Sequence, residues 1–213
     1  MEDIVIDCFD YATAHLFGDA LASQFRLRHR VFIDRTNYQV PTWREMEYDQ
    51  YDTPAATYLV WRDDDGIARG VARLSPTDRP YMLNDVWPEM VSTIPLPSSP
   101  AIWEGTRFGV DKDLPPEMRK RIVAELVAGY MEFSLQAGVR GIIGVMPTLI
   151  LRAVFSSNGW PVQCLGEPQV LGGDKCVAAM LNITPEIAAR VRAKTGFGPE
   201  ILNRGTTAIK RAA

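Results

Sequence analysis

Apolar residues recur at three- and four-residue intervals through residues 16–34, LFGDALASQFRLRHRVFID, with Leu16, Ala20, Leu27 and Val31 among them. That period predicts a first helix, and Arg28 and Phe32, four apart, share one of its faces. Residues 35–55 lose the period and turn polar, with Pro41 and Pro54. They read as a long, partly ordered connection, a kind of segment that is usually functional or disordered. ATYLVWR then reads as a strand, DDDG (ending Asp65-Gly66) as a hairpin turn, and IARGVARLS as the returning strand. Residues 75–100 are proline-rich and read as loop with short extended pieces, YMLND among them. Residues 101–110 form a strand, Pro115 and Pro116 stand where a helix begins, and residues 117–137 carry the helical period up to Gly138, a natural C-cap. GIIGVM is a short buried strand and residues 148–158 are a helix stopped by Gly159. VQCLG and KCVAAMLNI are late strands, followed by a short helix, PEIAARVRAK. The order predicts an α+β fold: a single-domain mixed sheet flanked by helices. Residues 1–195 form the domain and residues 196–213 a loosely held C-terminal tail.

Composition narrows the function without deciding it. A chain of 213 residues with net charge -3 and 23% charged residues is an ordinary globular domain, not a dedicated nucleic-acid binder. Cys8, Cys164 and Cys176 are scattered, His15 and His29 both lie early, and no metal-ligand spacing occurs, so neither a metal site nor a disulfide framework is expected. The N-terminus, MEDIVIDCFDY, is not a signal peptide, and no apolar run approaches the ~20 residues that span a bilayer. A cytoplasmic protein with no membrane insertion is expected.

The chemistry concentrates in two places. Glu45, Glu47, Asp49 and Asp52 lie close together among Tyr38, Trp43, Tyr48 and Tyr51, after a helix with Arg26, Arg28 and Arg30. Such a cluster is either a solvated loop or a set of carboxylates held ionised by arginines, able to receive a cationic substrate with an ammonium and a sulfonium. The strand AIWEGTRFGV supplies Glu104 and Arg107. Their odd separation puts them on opposite faces of a regular strand, but Gly105 offers a bulge or a close backbone approach that would bring both to one cleft and free an N–H for an oxyanion. The other reading is an edge-strand ion pair. A glutamate in a mostly apolar strand has a raised pKa unless paired, which suits it to accept an amine proton. Arg119, Lys120 and Arg121 open a helix where basic residues oppose its dipole, and Arg152 follows on a later one. These four would meet donor phosphates, dock an acidic carrier protein, or merely solvate the surface. No glycine-rich phosphate cradle precedes them. IIGVM and LILRAVF, with Met146 and Phe155, either line an acyl tunnel or belong to the core.

The succession FRLRHRVF, EYDQYDTP, ARLSPTDRPYML and WEGTRFGVD, in this order and spacing, resembles the acyl-homoserine-lactone synthases, the autoinducer synthase family of quorum sensing, over most of residues 5–185. The resemblance implies a fold similar to the GNAT acetyltransferases, with a V-shaped cleft between splayed strands. It also implies transfer of an acyl group from acyl-CoA or acyl-carrier protein to the amine of S-adenosylmethionine, then lactonisation and release of methylthioadenosine, with no tightly bound cofactor. The family's characteristic positions match Arg28, Phe32, Glu47, Asp49, Asp52, Arg73, Glu104 and Arg107. Tyr38 stands where the family has tryptophan, Trp87 where it has phenylalanine, and Thr106 fills a serine or threonine place. Glu104, Arg107 and Asp49 are thereby the expected catalytic group. Trp103, Phe108, Met146 and Phe155 join the substrate-binding set, and a short or branched acyl chain is expected. The alternatives are a GNAT-like acyl-CoA N-acyltransferase acting on another amine and a non-catalytic ligand-binding regulatory domain.

Overall fold

The computed structural model describes residues 6–33, 42–198 and 200–205. Among the described residues eleven strands are present: β1 (Ile6–Phe9), β2 (Thr42–Trp43), β3 (Met46–Glu47), β4 (Thr57–Arg62), β5 (Ala68–Pro76), β6 (Ile102–Val110), β7 (Gly141–Pro147), β8 (Gln163–Cys164), β9 (Gln169–Leu171), β10 (Asp174–Asn182) and β11 (Leu202–Asn203). The α-helices are α1 (Ala20–Arg28), α2 (Met82–Val86), α3 (Pro116–Gln136), α4 (Thr148–Val154) and α5 (Pro185–Thr195). All strands but two join one sheet in the order β11-β1-β4-β5-β6-β7-β10-β8, with β9 also on β10; β2 and β3 form a separate hairpin. The pairs β1–β11 and β6–β7 are parallel and the others antiparallel, so the sheet is mixed.

Strand alternation divides the core between the two faces. Leu59, Trp61, Ala72, Leu74, Ile142, Val177, Ala179 and Leu181 point to one face and pack with Leu126, Tyr130 and Phe133 of α3, Leu151 of α4 and Val191 of α5. The opposite face is covered in two halves. Tyr58, Val60 and Val71 pack beneath Ala20 and Leu27 of α1. Ile143, Ala178 and Met180 pack beneath Tyr81, Leu83 and Met90 of the proline-rich segment. The seam between these two covers, over β5 and β6, is where the charged residues collect.

Several elements depart from the expected ones. The first helix is broken: a 3-10 turn, Ala14–Phe17, ends at Gly18 (φ 60°, ψ -125°), α1 follows, and a π-helical turn runs His29–Ile33. Gly18 supplies a backbone conformation that a continuous helix cannot contain. YMLND is not extended, since Met82–Val86 is helical. The connection before β4 contains the β2–β3 hairpin. The helix expected over 148–158 ends at Val154 and continues as a 3-10 turn, Ser156–Asn158. Part of the expected tail is bound: Leu202–Asn203 pairs with β1, Ile201 is buried, and the Ile201 N–H donates to Glu132 Oε2 at 2.7 Å.

Candidate active site

Six ionised side chains interlock on the seam. Arg28, fully buried at the end of α1, donates from Nε to Glu47 Oε2 (2.5 Å) and from both Nη atoms to Asp52 (2.7 and 2.8 Å). Arg73 on β5 donates to both oxygens of Asp49 (2.6 and 3.1 Å), reaches Asp52 at 2.9 Å, and gives its Nε–H to Thr106 Oγ1. Arg107 on β6 joins Glu47 (2.9 Å) to Asp49 (2.6 Å) through Nη2. Three guanidinium groups and three carboxylates thus form one closed network. It pins β3 and the turn at 49–52 against the sheet with charge-assisted, partly bidentate hydrogen bonds. Burial alone would raise Asp52, but the hydrogen bonds and charge of Arg28, with the charge of Arg73, overcome it and hold this carboxyl well below its usual range. Burial opposes the charge of Arg28, and Asp52 with Glu47 more than compensates.

Glu104 and Arg107 reach this face together because β6 is bulged. Across from β5, Thr106 pairs with Arg73 and Gly109 with Val71, leaving Arg107 and Phe108 opposite one residue. Arg107 takes a left-handed backbone (φ 54°), uncommon for a residue with a side chain. The extra residue keeps both Thr106 and Arg107 on the charged face, while Phe108 returns to the α3 side, 5.7 Å from the rings of Tyr130 and Phe155. The bulge therefore sits at Arg107 and not at Gly105. Gly105 serves the close approach instead: a Cβ there would come 3.1 Å from the Tyr130 hydroxyl, and one on Gly144 would come 2.6 Å from the Gly105 carbonyl oxygen.

Beside the network Glu104 stands apart. Its side chain is 3% exposed, and its two oxygens accept the Met82 N–H (2.9 Å) and the Leu83 N–H (2.6 Å). Those are the first amides of α2, so a carboxylate from a distant strand caps this short helix. This capping explains why YMLND is helical without a local N-cap in its sequence. Burial raises Glu104, the two amides and Arg73 only partly restrain it, and its pKa stands at about 7, where it can take and return a proton near neutrality. The Arg107 guanidinium lies 3.9 Å from the Met82 sulfur at the same helix start.

Glu104 also marks where the sheet opens. Parallel pairing of β6 with β7 runs from Ile102–Gly141 to Glu104–Ile143 and goes no further, although β7 stays paired with β10 through Pro147. Beyond Glu104 the two strands part, leaving a V-shaped cleft with backbone along both arms.

The expected site residues divide around this opening. Arg28, Glu47, Asp49, Asp52, Arg73, Thr106, Arg107 and Glu104 are brought together, with Phe32 stacked near the Arg107 guanidinium at 5.8 Å. Trp87 packs with the proline-rich segment over β7 and β10. Trp103, Phe108, Met146 and Phe155 lie across the sheet, on the α3 side. Arg119 is half-buried and its Nε has no hydrogen-bond partner; Arg121 is engaged by Glu125 (2.8 Å); Lys120 and Arg152 are exposed. Tyr38 lies outside the described residues. The sequence reading missed the amides of Met82 and Leu83, Tyr58, whose hydroxyl donates to Asp52 (2.9 Å), and Ser75 opposite Glu104. Only strand register, which apolar alternation left open, would have found Ser75. Among the described residues no group of three or more His, Cys, Asp or Glu side chains could hold a metal ion, and no helix is long and apolar enough to cross a membrane.

The autoinducer synthase family model matches residues 14–191, a span holding every residue of this network and the whole cleft. The chain belongs to the autoinducer synthase family. An isovaleryl-homoserine lactone synthase from Bradyrhizobium diazoefficiens is 30% identical over 182 residues, covering 84% of this chain and 80% of the relative. The solved structure of a CoA-dependent acyl-homoserine lactone synthase, BjaI, with SAM and isopentyl-CoA, superposes with a TM-score of 0.84 at 28% identity, over 93% of this chain and 92% of that one. An acyl-CoA N-acyltransferase from Pseudomonas aeruginosa shares the fold alone, with a TM-score of 0.51 at 15% identity over 82% of this chain and 96% of that one. This autoinducer synthase is accordingly an acyltransferase of GNAT-like fold, and its parted β6 and β7 are the cleft of that fold.

Proposed function

We propose that this synthase transfers a short or branched acyl group from acyl-CoA to the α-amine of S-adenosylmethionine, and that the product closes to an acyl-homoserine lactone with release of methylthioadenosine. The observation that carries the reading is the position of Glu104: buried, poised to titrate near neutrality, and set at the last paired residue before the cleft opens. The ammonium of the acceptor gives one proton to Glu104, directly or through a water. The freed nitrogen pair attacks the thioester carbon, backbone N–H groups of the parted strands hold the oxyanion, and the C–S pair leaves as thiolate. In the second stage the methionine carboxylate attacks its own γ-carbon. The C–S bond of the sulfonium breaks and neutral methylthioadenosine departs, a step that needs chiefly positioning. Asp49 and Asp52, each occupied by arginines, act by fixing Arg73 and Arg107 and not by meeting the sulfonium. Phe32 and Trp87 give the aromatic wall of the acceptor pocket, and Trp103, Phe108, Met146 and Phe155 line the acyl side.

Likeness to the CoA-dependent BjaI supports acyl-CoA as donor, as does Arg119, whose buried, unpartnered Nε lies in the first turn of the helix that follows β6. Lys120 and Arg152 supplement it. An acyl-carrier protein docking on the same basic residues is the alternative. Three free thiols without a disulfide agree with action in the cytoplasm. The test is mass spectrometry of the products formed from adenosylmethionine with a mixture of acyl-CoA and acyl-carrier thioesters. Acyl-homoserine lactone and methylthioadenosine in equal amounts, from the CoA thioesters, are expected. Thiol release without methylthioadenosine would point to an N-acyltransferase for another amine.

A further inference from the structure

Ser75 on β5 lies directly opposite Glu104 on β6, on the face that carries Arg73 and Thr106. It is buried at 6% exposure, and its Oγ has no hydrogen-bond partner. Neighbouring hydroxyls are all engaged. Thr77 donates to the Ser99 carbonyl and accepts the Ser99 N–H, Thr106 accepts from Arg73, and Tyr81 donates to the Pro97 carbonyl. Directly opposed residues of an antiparallel pair bring their Cβ atoms to about 5 Å, so Ser75 and Glu104 are cross-strand neighbours on this face. They do not bond to each other, because both Glu104 oxygens turn to the α2 amides. A buried hydroxyl left alone is destabilising, so its retention calls for an occupant. This pair of neighbours offers a carboxylate that accepts and a hydroxyl that can accept as well. A group offering two N–H donors completes both.

We propose that Ser75 Oγ accepts an N–H from the α-amine of the acceptor substrate, forming with Glu104 a two-point seat for that nitrogen. This rests on the function proposed above. With one N–H held by the hydroxyl, the nitrogen can turn only about that hydrogen bond. The proton removed is the one facing Glu104, and turning about the retained Ser75 contact swings the lone pair it leaves from the carboxylate into the cleft. Glu104 becomes the acid, the C–N bond forms as the carbonyl pair moves onto oxygen, the oxyanion collapses with loss of the thiolate, the nitrogen gives its second proton to that thiolate, and Ser75 keeps its own hydrogen throughout.

The test uses the full-length protein and Ser75→Ala. Titration calorimetry without donor measures adenosylmethionine against its deaminated counterpart, which keeps the sulfonium, carboxylate and nucleoside. The variant is expected to bind adenosylmethionine about 10-fold more weakly and the deaminated ligand unchanged. Its kcat should fall, and its ligand-free thermal midpoint should rise, the reverse of what a merely structural serine gives. Ser75→Thr, which keeps the hydroxyl, should restore the preference for the amine. Equal weakening of both ligands, unchanged kcat and binding, or a Ser75→Ala chain that does not fold would overturn the seat. If the wild type releases methylthioadenosine while Ser75→Ala keeps its amine preference, only the serine contact fails. If the wild type releases none with any thioester, the acceptor reading fails and takes the seat with it.

Discussion

Replacing Glu104 by glutamine should separate stability from activity in a pH-dependent way. The folded protein holds this carboxyl at about 7, against an ordinary value of 4.5. Because the folded pKa lies above the unfolded one, the native state binds the extra proton between those values. Stability is therefore full below about 4.5 and declines as pH rises through 7. A rise of this size corresponds to ~3 kcal/mol between the acidic and alkaline limits, of which about 2.5 kcal/mol falls between pH 5 and pH 8. Glutamine is nearly isosteric with the protonated acid and lacks the titration. Glu104→Gln should thus match the wild type closely near pH 5 and exceed it by about 2–3 kcal/mol at pH 8, on the order of 5–10 °C in thermal midpoint for a chain this long. Its kcat should drop by ~10²–10⁴, the share typical of a positioned general base. Thermal unfolding of both proteins across pH 5–8, beside methylthioadenosine release at pH 8, measures the two effects. A stability difference that does not change with pH, or a variant less stable at pH 8, would refute the claim that Glu104 is held ionised at a cost. Unchanged turnover would remove it as the base.

Three further outcomes follow from the network and the cleft. Asp52→Asn leaves Arg28 and Arg73 short of a buried partner and should destabilise by about 3 kcal/mol at pH 7; since the Asp52 carboxyl is held well below its ordinary 3.8, the gap to wild type should persist down to that value and shrink only as pH falls further, toward the lowered folded pKa, as urea unfolding at pH values above and below 3.8 will tell. Arg107→Lys cannot span Glu47 and Asp49 with a rigid fork and should destabilise by about 2 kcal/mol; a wild-type melting curve would show that the bulge does not depend on those bonds. Gly144→Ala places a methyl 2.6 Å from the Gly105 carbonyl oxygen and should lower kcat/KM for the thioester while leaving adenosylmethionine binding intact, a split that steady-state kinetics and calorimetry resolve.

Much of the sheet was legible because β4, β5, β6, β7 and β10 are apolar runs bounded by turn residues, and α3 and α5 carry their own start and stop signals. Long-range effects were not. The helix at Met82–Val86 exists because Glu104, 22 residues from Met82, caps it, and no local pattern records that. The bulge was expected where a glycine permits one, yet it formed at Arg107, where Glu47 and Asp49 hold the guanidinium and offset an unfavourable backbone. The clustered carboxylates were visible as charge, but Arg73, far off in sequence and in a strand, was reached only through the family resemblance and through no local pattern. Ser75 looked like one more polar residue at the end of a strand until its register was known.

The small pairing between the last described strand and the first has a practical consequence. β11 shields the outer edge of β1, at the far side of the sheet from the cleft. A chain cut after residue 195 would bare that row of backbone amides and carbonyls and uncover Glu132, which now receives the Ile201 N–H. Unprotected strand borders recruit other strands. Such a shortened enzyme should self-associate into aggregates even though every group of the reacting centre is still present.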